Sequence, residues 1–94
     1  TLTYVLDSIK APKIINYLSL DVEGSEYEVL KGIDFNKYTI EYISVEHNYD
    51  TELRKKIHEI LQNNNFIYSR WNKFEDEYIH LSLYKKIMWY DLKN

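Results

Sequence analysis

The sequence predicts one α/β domain over residues 1–94, a mixed, mostly parallel four-stranded sheet with flanking helices and a C-terminal antiparallel hairpin. Three observations predict it. Residues 14–22 (IINYLSLDV) and 38–48 (YTIEYISVEHN) carry apolar side chains at both parities, as strands buried on both faces do. A helical pattern follows each run, and strand–helix–strand order implies right-handed crossovers between parallel strands. Two further β-rich runs, FIYSRW at 66–71 and EYIHLSLYKK at 77–86, flank NKFED, a connection short enough for a hairpin.

In chain order, TLTYVLDSIKAPK opens with a short helix. Thr3 is its capping candidate, Val5, Leu6 and Ile9 are its apolar positions, and Pro12 is its stop. The first strand runs into Asp21, Glu23 and Gly24. GSEYEVLKG then reads as a helix, with Ser25 as N-cap and Glu28 three residues on, the capping-box spacing. Val29, Leu30 and Ile33 are expected to face the sheet, and Gly32 to end the helix. The second strand is rich in β-branched and aromatic residues and runs into Glu46, His47 and Asn48. In YDTELRKKIHEILQNNN, Leu53, Ile57, Ile60 and Leu61 fall on one helical face, with Asp50 or Thr51 as cap and Asn63 to Asn65 as terminator. Residues 87–94 (IMWYDLKN) give no clear signal of either kind.

Composition narrows the function. Ninety-four residues support one small core. A net charge of -3 gives no footprint for nucleic acid. No apolar stretch approaches the roughly 20 residues of a membrane span, so no membrane partner is expected. The lack of cysteine excludes disulfides and thiolate metal sites and permits a reducing compartment; a cytoplasmic location is expected. Aromatics make up 16% of the chain, ten of them tyrosines, enough for a large core or for an interface. A first residue of Thr1 rather than Met suggests a processed or excised piece.

The strand ends hold the candidate site. In open α/β sheets, ligands bind beyond the carboxyl ends of the strands. If the first two strands are neighbours, Asp21, Glu23, Gly24, Glu46, His47 and Asn48 crowd one edge. Three acids and an imidazole there are costly unless a ligand, a metal or hydrogen bonds compensate. Several of these residues have structural explanations. Glu23 suits the dipole of the following helix, and Glu26 and Glu28 suit its first turn and cap. His47 can satisfy backbone groups at a strand end, His58 can be solvated and His80 packed within a strand. Asp21 is the hardest to explain structurally. A divalent metal held by Asp21, Glu23, Glu46 and His47 is chemically reasonable, but no spacing is diagnostic, and no metal is expected.

Residues 1–32, followed by YISVEHNY at 42–49 and WNKFEDEYIH at 71–80, resemble the C-terminal half of the FkbM-type methyltransferases. The resemblance runs from Thr1 to about Tyr84, and its most specific stretch is D-V-E-G-x-E-x-x-V-L-K-G. It implies the distal half of a Rossmann-like class I fold and S-adenosylmethionine as cofactor. It also implies a small-molecule or sugar hydroxyl acceptor, since many members O-methylate sugars or polyketide-derived metabolites. Matched residue by residue, Asp21, Glu23 and Gly24 fall on the tip of the fourth strand, at the cofactor, with Glu26 at the helix start. Glu46, His47 and Asn48 fall on the tip of the fifth strand, on the acceptor side. The hairpin supplies the sixth and seventh strands and brings Glu75, Asp76 and Tyr78, so Glu46, Asn48 and Asp76 are substrate-binding candidates. His47, with an ordinary pKa near neutrality, or Asp21 is the base, and the choice stays open.

The chain departs from the family in lacking a Gly-rich turn after a first strand. Its two glycines, Gly24 and Gly32, stand in no G-x-G setting. The chain is therefore expected to be half an enzyme with little or no activity alone, with the outer edge of its first strand unpaired. A homodimer, or association with an N-terminal half, would cover that edge. The alternative is a stand-alone, non-catalytic α/β interaction module that homo-oligomerises.

Overall fold

The computed structural model describes residues 1–93, with side chains as far as Tyr90. The elements are α1 (Leu2–Ser8), β1 (Ile14–Leu20), α2 (Glu26–Lys31), β2 (Thr39–Glu46), α3 (Thr51–Gln62), β3 (Phe66–Asn72), β4 (Glu75–His80) and α4 (Leu81–Lys93). The strands form one sheet in the order β1-β2-β4-β3.

The mixed α/β sheet and its terminal hairpin match expectation: β1, β2 and β3 run in one direction and β4 alone is reversed. The one adjacent parallel pair is β1–β2, with Leu18 beside Ile43 and Leu20 beside Val45. β4 runs antiparallel to both β2 and β3. The cause is the turn Lys73–Phe74, which is tight enough to return β4 straight along β3 and insert it next to β2. His47 N–H donates to the Phe74 carbonyl at 2.8 Å, pinning this turn to the end of β2. Asp76 thereby reaches the same edge of the sheet as Asp21.

One face of the sheet is the core. Leu18, Leu20, Ile43, Val45, Tyr68, Asp76 and Tyr78 share it by register, and α2 and α3 cover it with Leu30, Ile57 and Leu61, all three buried. α3 is built as its pattern requires, with Leu53 and Ile60 partly buried beside Ile57 and Leu61. The Asp50 side chain caps it by accepting from the Leu53 N–H at 3.1 Å. The opposite face carries buried Ile40 beside Ile15, together with polar and aromatic residues. There Tyr17 OH meets Ser44 Oγ at 2.8 Å, and Tyr42 OH donates to Glu77 at 3.0 Å.

Four local expectations are corrected. The N-cap of α1 is Thr1, whose hydroxyl accepts from the Tyr4 N–H, while Thr3 Oγ1 accepts from the Asp34 N–H at 2.7 Å and ties α1 to the end of α2. β1 is not buried on both faces: it is an edge strand, with Ile14 54% and Tyr17 58% exposed. Ser25 stands at the N-cap of α2 but makes no side-chain cap bond, and Glu28 pairs with Lys31 instead of closing a capping box. The strand expected over 77–86 stops at His80. His80 Nδ1 accepts from the Ser82 N–H at 3.1 Å and pulls the chain into α4, which runs on through the tail. Asn94 lies outside the described residues.

Candidate functional site

The loop 21–24 leaves β1 and turns into α2 through two left-handed residues, Glu23 (φ 48°) and Gly24 (φ 98°). Glycine adopts that conformation freely, and glutamate does not. Glu26 compensates. Its side chain is 1% exposed and reaches back, with Oε2 accepting from the Val22 N–H at 2.7 Å and Oε1 from the Gly24 N–H at 3.0 Å. Both amides that flank Glu23 are thus held by one carboxylate. Asp21 and Glu23 stand exposed on this braced loop.

Asp21 meets Glu46 across the parallel pair. The Asp21 carboxyl, hydrogen-bonded to Glu46, pushes the Glu46 carboxyl above its ordinary value; burial and the charges of Asp21, Glu26 and Glu75 act in the same direction. The tips of β1 and β2 thus set two carboxyls side by side, each raising the cost of charging the other. Glu75 lies directly across from Glu46 in register, and a shallow hollow of about 270 Å³, lined by Glu46, Asn72, Lys73, Phe74 and Glu75, opens beside it.

His47 is not brought to this pair. It continues the alternation of Ile43 and Val45, so its ring turns under the sheet while Glu46 faces the other way. The ring is 1% exposed. Its Nδ1 accepts from the Tyr49 N–H at 2.8 Å, stabilising a turn in which Asn48 and Tyr49 are both left-handed. Nε2 therefore carries the proton of the neutral ring. It has no hydrogen-bond partner among the described residues and lies 3.8 Å from Asp76 Oδ1. Burial lowers the His47 pKa, Asp76 opposing it.

Asp76 is buried and fully engaged. Arg54 grips it through Nε and Nη2, and Tyr68 OH donates to Oδ1 at 3.1 Å. Of the residues singled out in the sequence, the structure joins Asp21 to Glu46, joins His47 to Asp76 on the helix side, and leaves Glu23, Gly24 and Asn48 exposed between them. Arg54, Tyr68 and the bracing role of Glu26 have no motif that marks them in the sequence. Among the described residues no three or more acids and histidines cluster as metal ligands would, so Asp21, Glu23, Glu46 and His47 are not brought together in one place. No described helix is long and apolar enough to cross a membrane.

The residues present fit S-adenosylmethionine at one end only. The exposed carboxylates of Asp21 and Glu23 suit its cationic sulfonium and ammonium groups. No glycine-rich turn among the 94 residues offers backbone N–H groups or close approach to its nucleoside.

Neither a curated protein nor a solved structure matches the chain. Residues 1–68 match the family model of the methyltransferase FkbM domain, which takes in α1 through the start of β3 and stops short of the Tyr84 reached by the resemblance above. That match spans well over half of the 94 residues, and with the acid-tipped strand pair it settles the family: the chain belongs to the FkbM methyltransferase domain family.

Proposed function

We propose that this chain carries the acceptor side of an O-methyl transfer site, with the Asp21–Glu46 carboxyl pair accepting the proton of the acceptor hydroxyl. The observation that carries the reading is the register of the parallel strands, Leu20 beside Val45, which sets Asp21 and Glu46 side by side at their tips in a chain of this family. A carboxylate whose affinity for a proton is raised by a neighbouring acid is the better general base near neutral pH. Glu23 faces the cationic end of the methyl donor, S-adenosylmethionine, and Glu26 keeps the loop in place. His47, enclosed and committed to the Tyr49 turn, positions the β2–α3 connection.

The donor's nucleoside is held from outside these residues. The exposed outer edge of β1, carrying Ile14 and Tyr17, is where that contribution docks, by a second copy of the chain or by a preceding segment. Without it, transfer is slow. A cysteine-free chain suits the cytoplasm.

The test is transfer of labelled methyl from S-adenosylmethionine to a panel of hydroxylated small molecules. Slow transfer that falls about 100-fold in both Asp21→Asn and Glu46→Gln is expected. Transfer indifferent to both substitutions, or none across the panel, removes the reading.

A further inference from the structure

A second cleft, of about 350 Å³, opens between α3 and the outer strands and is lined by Thr51, Arg54, Lys55, His58, Tyr68, Asp76 and Tyr78. It lies on the helix-covered face of the sheet, away from the Asp21–Glu46 pair. We propose that this cleft binds a flat ring bearing a carboxylate.

The only acid in the lining is Asp76, and it is already neutralised by the fork of Arg54 and by Tyr68 OH. Arg54 spends Nε and Nη2 on Asp76 and also interacts with Tyr68. Lys55 is exposed and has no ion-pair partner among the described residues. The cleft therefore carries one uncompensated positive charge and a surplus of donors, in a chain of net charge -3. An anion answers both.

The ring argument is independent. Tyr68 and Tyr78 stand edge to face with centroids 5.5 Å apart, and His58 lies 6.2 Å from Tyr68 and 6.0 Å from Tyr78. Tyr68 is 40% exposed, so part of this aromatic wall is open to stacking. A cleft of this size accepts one small ring and its substituent. The carboxylate would lie against Lys55, with the ring against Tyr68. This binding does not rest on the function proposed above, because the cleft and the Asp21–Glu46 pair lie on opposite faces of the sheet.

The experiment is NMR titration of the protein with three probes: 4-hydroxybenzoate, phenol (ring without charge) and acetate (charge without ring). Saturable shifts at Lys55, His58 and Tyr68 are expected with 4-hydroxybenzoate, at lower concentration than with either other probe. Lys55→Ala, on an exposed helical position, should weaken binding about fivefold, the scale of one exposed ion pair, and Lys55→Glu should weaken it further. An unchanged amide spectrum elsewhere shows that the variants fold. Phenol binding as well as 4-hydroxybenzoate, affinity indifferent to Lys55, or no saturation each overturns the inference.

Discussion

Arg54 and Asp76 meet as a two-pronged ion pair, Nε 2.8 Å from Oδ2 and Nη2 2.9 Å from Oδ1, and so tie the first turn of α3 to the start of β4. The carboxylate side chain is 5% exposed and the guanidinium side chain 37%. Removing the cation leaves a buried charge with only Tyr68 as a hydrogen-bonding partner. Arg54→Ala should therefore cost about 3 kcal/mol, the low end for a broken buried pair because water still reaches Arg54. Arg54→Lys should recover little of it, since an ammonium cannot reproduce the fork. Urea unfolding of the three proteins checks both statements.

Glu26 offers a sharper test of the loop. Glutamine keeps one acceptor oxygen but turns an NH₂ group toward a backbone N–H. Glu26→Gln should lose about 1–3 kcal/mol, the range for an unsatisfied buried group. Hydrogen exchange should accelerate at Val22 and Gly24, whose N–H groups it holds, while the Leu53 amide capped by Asp50 stays protected. Equal acceleration at all three would make Glu26 a general stabiliser with no special hold on the loop.

Stability should depend on pH through identifiable groups. The folded-state pKa of Glu46 is raised, so the native chain keeps a proton that the unfolded chain has released. Its contribution is complete in acid and is lost as pH rises from the ordinary glutamate value through the raised one. Glu46→Gln should cancel that loss. The stability difference between variant and parent should start near zero in acid and grow in the variant's favour toward neutral pH.

Other groups work in the opposite direction. Burial lowers His47 and His80 below 6.5, so the native chain resists the protons that the unfolded chain takes up as pH falls. Arg70, hydrogen-bonded to Glu77, lowers that carboxyl, and its contribution fades as pH falls through the folded-state value. Denaturant midpoints measured across the acid to neutral range should therefore fall at the acid end in both proteins.

The free edge of β1 should drive self-association. Ile14 and Tyr17 are more than half exposed on a strand with no neighbour on its outer side among the described residues. A lysine there blunts edge pairing. Tyr17→Lys should shift sedimentation toward the monomer, with the secondary structure unchanged by circular dichroism.

Long periodic segments could be read from the sequence: α3 and β2 form where their patterns place them. α4 was hidden because Leu81 and Leu83 alternate like a strand. The helical spacing of Leu81, Tyr84, Ile87 and Met88 shows only when the tail is joined to them. β1 carries the composition of a central strand but lies at an edge, because composition records what a strand can bury and not which neighbours are present.

The strand tips could be located, but their wiring could not. Glu46 and His47 are adjacent in sequence and lie on opposite faces of the sheet, since successive side chains of a strand point apart. That alternation gives Glu46 to Asp21 and His47 to Asp76. The grip of Glu26 on its own loop arises from left-handed backbone at Glu23 and Gly24, which no spacing rule announces.

The most direct test of the account is carboxyl-carbon NMR titration of Glu46 in the parent chain and in Asp21→Asn. Glu46 should titrate clearly above the ordinary value of about 4.3 in the parent and fall back toward it in the variant. Ordinary titration in both proteins would separate the two carboxyls and leave the proposed transfer site without its base.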